Sequence, residues 1–400
     1  MLTQCIAGSS LTGSRPLAEF VETVFGSLPR VDQRRWADAY LRGLLSTPGR
    51  KTMKRLARQV SCETSAAQAL QQFITSSPWA WSEPRAALAR VAARRLPERA
   101  WVTGTIVSEK RGHRSVGVHR RFVPELGATV NCQVGVGMFL ASESEAIPVD
   151  WRLVLDTAWS GDASLRRQAR IPDAVGSGSA WEQALEMAET ADALPCLERV
   201  PLVADLTATG DVARFTGSLA RGGREFLVRV RPDQPVLEGA RSVAPSREVS
   251  SPSSLYSIST AERLIEEGGA GQRQVSEAQF ADGAGQMRLR SALVHLPGAE
   301  DGAHAAGSPV HRLLALNSAD GRTPPQYWIS ALRRRSVDDV LSLVRRQQVV
   351  QSTVRLLRDD FGLTDFEGRS FPGWHHHMTM VSAAYTYSLL SRRTAVRLSA

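Results

Sequence analysis

The 400-residue sequence has few cysteines, few lysines and no long apolar stretch. Its cysteines, Cys5, Cys62, Cys132 and Cys196, are far apart and form no CxxC pair, so neither a disulfide framework nor a zinc site is indicated. No run of 18 apolar residues occurs, which argues against a membrane-spanning helix. The first residues lack the basic and apolar segments of a signal peptide. Together these absences predict a cytoplasmic protein that does not associate with membranes.

Lysine occurs only at Lys51, Lys54 and Lys110, so arginine supplies most of the 49 basic residues. Against 40 acidic residues they give a formal net charge of +9. A basic surplus favours a polyanionic partner such as nucleic acid, with ordinary solubility charge as the alternative. The hydrophobic fraction of 42% is that of a globular protein, which excludes collagen-like, rod-like and wholly disordered classes.

Hydrophobic spacing divides the chain into a helical part and a mixed part. Apolar residues recur at helical spacing in five runs between residues 17 and 98, interrupted by Pro29 and by Pro48-Gly49. Beyond Trp101, β-branched and apolar strings alternate with helical ones, which predicts an α/β fold. The predicted strands are 101–107, 131–140, 197–205, 226–230 and 286–295, the predicted helices are 178–194 and 337–361, and the predicted exposed linkers are 239–254 and 297–308.

Two polar features interrupt this pattern. Asp205 ends the predicted strand 197–205, where it can serve a site or cap the following helix together with Thr207. His375, His376 and His377 are consecutive, so on a helix they point in different directions and do not chelate a metal as an i, i+4 pair does. This spacing favours structural roles for the histidines.

A basic cluster is predicted to cover two turns of one helix in the N-terminal part. Its charge suits DNA phosphates, and a solvated helix face is the alternative. The residues of the cluster are Arg50, Lys51, Lys54, Arg55 and Arg58.

Three strings together carry a family resemblance. They are GHRSVGVHRRF followed by NCQVGVGMFLAS (112–122 and 131–142), VPLVADLTATG (200–210) and FGLTDFEGRSFPGWHHHMT (361–379). In this order and spacing they resemble the bacterial cut-and-paste insertion-sequence transposases of the DDE type. The segment 42–58 resembles the helical DNA-binding region of that family. The resemblance covers most of residues 17–390, and FEGRSFPGWHHH is its most specific part.

The resemblance implies an RNase H-like mixed α/β sheet with an N-terminal helical region and an insertion between the second and third catalytic positions. It also implies DNA as a partner, DNA recombination as the process and the basic cluster as a phosphate-binding surface, with self-association a further expectation. The implied division is a tail at 1–16, a DNA-binding-like helical region at 17–98, a catalytic-type domain at 99–210 and 325–395, and an insertion at 211–324.

The family's active site, however, matches this sequence at one position of three. Three carboxylates in the family hold two divalent cations, normally Mg²⁺, which activate the attacking oxygen and stabilise the leaving oxygen. The second carboxylate is present as Asp205. The first aligns with Gly104 or Thr105 and the third with Gln351, give or take one helical turn, and none of these residues is a carboxylate. We therefore expect no resident metal, with Asp205 as the ligand if Mg²⁺ binds.

Three functions remain open at this point. The first is a transposase-like DNA-binding protein whose two-metal cleavage site is degenerate. The second is an active nuclease or transposase in which Glu109, Asp359 or Asp360 substitutes for the missing carboxylates and Mg²⁺ is the cofactor. The third is a fold repurposed as a metal-independent enzyme or binding protein for a small molecule in specialised metabolism, with Asp205 and His376 as an acid/base pair.

Overall fold

The computed structural model describes residues 14–192, 199–208, 210–239, 256–267, 274–279, 286–298, 309–318, 323–332 and 335–398. The predicted tail up to residue 13 and most of the predicted linkers, at 240–254 and 299–308, lie outside these ranges. None of the described helices is long and apolar enough to cross a membrane.

The N-terminal part is helical, and the breaks between helices fall at the punctuating prolines and glycine. Thr52 caps the third helix by accepting a hydrogen bond from the Arg55 N–H, so this helix begins only at Met53. Arg50 and Lys51 therefore precede it, and the prediction that the whole basic cluster lies on one helix is wrong. The helices are α1 (Ser14–Phe25), α2 (Val31–Ser46), α3 (Met53–Val60), α4 (Ala66–Thr75) and α5 (Ser82–Arg95).

A mixed sheet of ten strands forms the centre of the described structure. Its first part comprises β1 (Ala100–Glu109), β2 (His119–Val123), β3 (Ala128–Ala141), β4 (Ala146–Leu153), β5 (Leu202–Asp205) and β6 (Phe226–Val230). Strand β3 pairs antiparallel with β1, β2 and β4, whereas β5 is parallel to both β1 and β6. The predicted mixed α/β fold is confirmed.

The sheet continues beyond β6 with four strands, of which three come from the segment expected to be an insertion, 211–324, and the last follows that segment in the chain. These are β9 (Gln274–Gln279), β10 (Gln286–Val294), β11 (His311–Ser318) and β12 (Gln326–Ser330), while β7 (Pro235–Gly239) and β8 (Tyr256–Thr260) form a separate pair. Strand β12 pairs antiparallel with β6, and β11, β10 and β9 follow in that order. Since β6 is also parallel to β5, residues 211–324 contribute both to the parallel part of the sheet and to its extension.

The other helices pack on the two faces of the sheet. Of the two longest helices, the first matches the predicted helix 337–361 and the second, at 371–398, was not predicted. Ser336 caps α11 together with Asp339, and Gly362 ends it in the left-handed region, at a φ of +71°. The helices are α6 (Thr157–Gly161), α7 (Ala163–Ala169), α8 (Ala180–Asp192), α9 (Val212–Arg221), α10 (Ala261–Glu267), α11 (Val337–Phe361) and α12 (Phe371–Leu398).

Alternation along the strands sorts side chains onto two faces. Val102, Val203 and Leu227 share a hydrophobic core with α11, α12 and the N-terminal helices, which we call the α11 face. Trp101 and Leu202 share the other core with α8, α9 and α10, which we call the α8 face. Because residues two apart in a strand lie on the same face, the α11 face also carries the positions that follow these residues by two.

Candidate active site

Asp205 lies on the α11 face at the end of β5, with 23% of its side chain exposed. Its Oδ1 accepts hydrogen bonds from the Thr207 N–H (3.0 Å) and the Thr207 hydroxyl (2.6 Å). Thus Asp205 does bond to Thr207, but it closes a local turn. The alternative that it caps the next helix is wrong, because Asp211 caps α9 by accepting from the Arg214 N–H.

The second carboxylate oxygen of Asp205 faces an arginine. Arg229 is the register partner of Asp205 across the β5–β6 pair, and its Nη1 lies 3.3 Å from Asp205 Oδ2. Sequence reasoning missed this residue. The available signal was a single arginine in the apolar string FLVRV (226–230), at a position that alternation assigns to the same face as Leu227.

Gly104 lies beneath α11. Extending the β1–β5 register by two residues from its last pair, Val102 with Val203, brings Gly104 beside Asp205. A Cβ on Gly104 would lie 3.1 Å from Phe139 Cε2, 3.2 Å from Val350 Cγ1 and 3.4 Å from Val354 Cγ2. The helix therefore sits where a longer side chain at this position would project.

Thr105, the other sequence candidate for the first position, follows Gly104 and so points to the α8 face, where it is exposed. Of the two residues, only Gly104 shares a face with Asp205. The structure thus separates two candidates that the sequence alignment left equivalent.

Gln351 lies on α11 next to Val350, which contacts Gly104, and its side chain is exposed. Thr353, two residues on and so nearly opposite around the helix, hydrogen-bonds Tyr385 of α12. Gln351 therefore faces away from α12. Gln347, one turn earlier on the same side of α11, is buried.

The residues present do not fit a two-metal centre. Asp205 is the one carboxylate at the three family positions, and its oxygens already accept from Thr207 and Arg229. Within the described ranges, no group of three or more His, Cys, Asp and Glu side chains is placed to hold a metal ion. The carboxylates considered as substitute ligands lie away from the aligned positions. Glu109 ends β1 with its side chain exposed, and Asp359 and Asp360 lie two turns beyond Gln351.

His376, the predicted acid/base partner of Asp205, is buried between α12 and the N-terminal helices. Its Nδ1 and Nε2 each lie 2.8 Å from a backbone carbonyl oxygen, those of Ile74 and Trp79. The ring stacks on Trp79 with centroids 3.8 Å apart, and burial lowers its pKa to about 4. The neutral ring carries one N–H and so donates to one of the two carbonyls, while both nitrogens face the buried backbone, which leaves neither for proton transfer with Asp205.

The neighbouring histidines have similar surroundings. His377 Nε2 donates to the Gly362 carbonyl (2.9 Å), because a carbonyl only accepts, and the Tyr40 hydroxyl donates to Nδ1 (3.0 Å). Burial lowers the His377 pKa to about 4, so the ring is neutral. His375 stacks on Trp81 with centroids 4.5 Å apart. These contacts give the histidines structural roles in joining α12 to the N-terminal helices.

The string 361–367 joins three parts of the fold. Asp365 Oδ2 accepts from the Lys51 N–H (2.7 Å), and Lys110 Nζ, at the end of β1, donates to the Thr364 carbonyl (3.1 Å) and the Phe366 carbonyl (2.8 Å). Burial lowers the Lys110 pKa to about 8. The string 361–367 therefore holds the end of α11 in place over β1.

The basic cluster is divided by the same packing. Lys51 is buried, and its Nζ donates to the Leu44 and Thr47 carbonyls at the end of α2. Arg50 Nη2 lies 2.5 Å from Glu367 Oε1 at the surface. The three remaining basic side chains are exposed on α3, and they are Lys54, Arg55 and Arg58.

Comparison with known proteins adds one family. A model described as DDE superfamily endonuclease matches residues 23–253, which is 231 of the 400 residues. The matched span includes β1, β5 and Asp205. No curated protein matches the chain.

Proposed function

Because the chain belongs to the DDE superfamily of endonucleases, we propose that it binds duplex DNA on an RNase H-like fold that has lost strand cleavage. The observation that carries the loss of cleavage is the pairing of Asp205 with Arg229. A guanidinium lies against the oxygen that a cation would need, and the residues aligned with the other two family positions are the neutral Gly104 and Gln351.

Loss of cleavage follows from charge and ligand number. Phosphodiester cleavage by two metals requires positive charge at both the attacking and the leaving oxygen, held by several hard oxygen ligands. Here a single carboxylate, already paired with a guanidinium, stands in place of three. An arginine can bind a phosphate, but it does not generate a metal-bound nucleophile.

Two surfaces support DNA binding. Lys54, Arg55 and Arg58 place positive charge on the exposed side of α3. On α11, Arg355 and Arg358 follow Gln351 by four and seven residues, so helical spacing places them on its flank, where both are exposed. Such side chains bind DNA mainly by neutralising phosphates and releasing counterions.

Binding of duplex DNA is expected to weaken steeply with salt. In a fluorescence-anisotropy titration, the plot of log K against log salt should lose about 0.9 of slope for each phosphate contact removed in the variant Lys54→Gln/Arg55→Gln/Arg58→Gln. The control Arg15→Gln/Arg231→Gln/Arg263→Gln makes the same change in net charge at arginines already paired with carboxylates. It should keep the wild-type slope, and an absence of wild-type binding at low salt would overturn the proposal.

No nicking of supercoiled plasmid is expected with Mg²⁺ or Mn²⁺, because the carboxylates that would hold the metals are missing. Asp205→Asn should leave this result unchanged. If wild-type protein nicks DNA and Asp205→Asn abolishes the nicking, the degenerate-site proposal fails. The variants Glu109→Gln and Asp359→Asn/Asp360→Asn would then identify the substitute ligands.

A small-molecule function is the second candidate, and one cavity favours it. A space of about 570 Å³ opens between α8 and α9 on the α8 face, within the size range of ligand sites. Trp181, Arg221 and His311 are among the residues that line it. A thermal-shift screen with small aromatic anions tests this candidate: stabilisation lost in Trp181→Ala would support it, and stabilisation by DNA alone would favour the first proposal.

A further inference from the structure

Strands β2 and β3 form a ribbon that extends past the neighbouring strands. Strand β2 pairs with the first five residues of β3, from His119 opposite Cys132 to Val123 opposite Ala128. By contrast, β1 pairs with β3 only from Cys132 onwards and β4 only from Gly135. At about 3.3 Å per residue, residues 128–131 of β3 extend the ribbon about 13 Å beyond β1.

The ribbon has one anchored face and one exposed face. Val123 and Cys132 are buried in the core of the α8 face. On the opposite face Arg120 is exposed and Phe122 has 60% of its surface exposed. At the turn, Leu126 is 48% exposed, so the ribbon presents apolar groups and an arginine to solvent.

The loop before β2 adds further charge at the base of the ribbon. It leaves β1 where the Lys110 N–H donates to the Asn131 carbonyl (2.9 Å), and it exposes Arg111 and Arg114. Arg111, Arg114, Arg120 and Arg121 form no ion pair with those carboxylates whose side chains the structure describes. Many other arginines of the protein are paired with a carboxylate, so this group of four differs from them in the described part of the chain.

We propose that this arginine ribbon, residues 111–131, is a second DNA-contacting element, lying along a groove of the same duplex. The inference rests on the proposed DNA-binding function. A two-stranded ribbon fits the major groove, which is about 12 Å wide, and exposed guanidinium groups suit the phosphates on either side. Phe122 supplies an apolar contact to thymine methyl or sugar carbons. A two-fold contact between two copies would instead place these arginines against each other.

The test compares two kinds of ribbon variant in anisotropy titrations of a labelled duplex over a salt series. Arg114→Gln/Arg120→Gln, which changes two exposed arginines, should weaken binding about tenfold or more at moderate salt and reduce the log–log slope by about 0.9 for each lost phosphate contact. Phe122→Ala should weaken binding without changing the slope, because an apolar contact releases no counterions. Arg15→Gln/Arg263→Gln is the matched control, with two exposed arginines replaced elsewhere.

Each outcome decides between the proposals. If wild-type protein does not bind the duplex, the proposed function fails and the ribbon proposal fails with it. If wild-type protein binds and the ribbon variants match the control, only the ribbon proposal is overturned. If the ribbon variants keep full DNA affinity but lower the mass in sedimentation equilibrium, the ribbon is an interface between copies of the chain, and its role in DNA binding is likewise overturned.

Discussion

Replacing Arg85 by alanine is expected to lower the free energy of unfolding by about 3–5 kcal/mol, the range for removing one partner of a buried ion pair. The Arg85 side chain is 5% exposed, and its Nη1 lies 2.5 Å from Asp150 Oδ1 in β4. It also donates to the Thr379 hydroxyl (2.9 Å) and to the His375 carbonyl (3.0 Å), both in α12. Alanine leaves these acceptors buried without their donor.

The same guanidinium determines how the N-terminal helices are attached. Burial lowers the Arg85 pKa to about 10, so the group stays charged at neutral pH and its contacts link α5, β4 and α12. The N-terminal helical region is therefore part of the body of the protein. The DNA-binding surface proposed for α3 would therefore keep a fixed position relative to Asp205.

Urea denaturation of Arg85→Ala and Arg90→Ala measures the effect. Arg90 lies on the same helix, is exposed and donates only to the Ala86 carbonyl, so its loss should change stability by no more than about 0.5 kcal/mol. Asp150→Asn provides a second readout, because it removes the charge and keeps the shape. Equal stabilities for Arg85→Ala and Arg90→Ala would show that the buried network contributes little.

Placing carboxylates at positions 104 and 351 is not expected to create a metal site. In Gly104→Asp/Gln351→Glu, the new Cβ at position 104 would meet Phe139, Val350 and Val354 at 3.1–3.4 Å, which should cost about 1–3 kcal/mol of stability as overpacking. Asp205 would still be paired with Arg229. Calorimetric titration with Mn²⁺ should therefore show no binding to this double variant.

Binding should appear only after both obstacles are removed. Arg229→Ser frees the second oxygen of Asp205, and Val350→Ala makes room above position 104. Arg231→Ser is the matched control, since Arg231 lies two residues along the chain and pairs with Asp233 at the surface. If the double variant alone binds Mn²⁺, neither Arg229 nor the packing of α11 keeps metals out.

Much of the local structure was predictable from the sequence. The strand 226–230 and the helix 337–361 were predicted with the bounds they have, because apolar spacing, a capping serine and a terminating glycine all act locally. The helix α12 was not delimited, since its 28 residues are too apolar to show a polar face. Strand β4 was also missed.

The site was predictable as far as residue identity goes. That Gly104, Thr105 and Gln351 are not carboxylates is evident from the sequence once the family positions are aligned. The burial of Lys51 and His376 was not predictable, because each is enclosed by segments distant in the chain. The Lys51 side chain lies against Gly362 and its backbone N–H donates to Asp365, while His376 faces the carbonyls of Ile74 and Trp79.

The sequence by itself determined much of the helix and strand pattern, the basic surplus and the neutral residue types at positions 104, 105 and 351, because each of these depends on residue type and local spacing. Only the tertiary structure decided that Arg229 pairs with Asp205, since this depends on the register of β5 against β6. It also decided that α11 lies directly over Gly104, because the close approach depends on where the junction at 361–367 holds that helix.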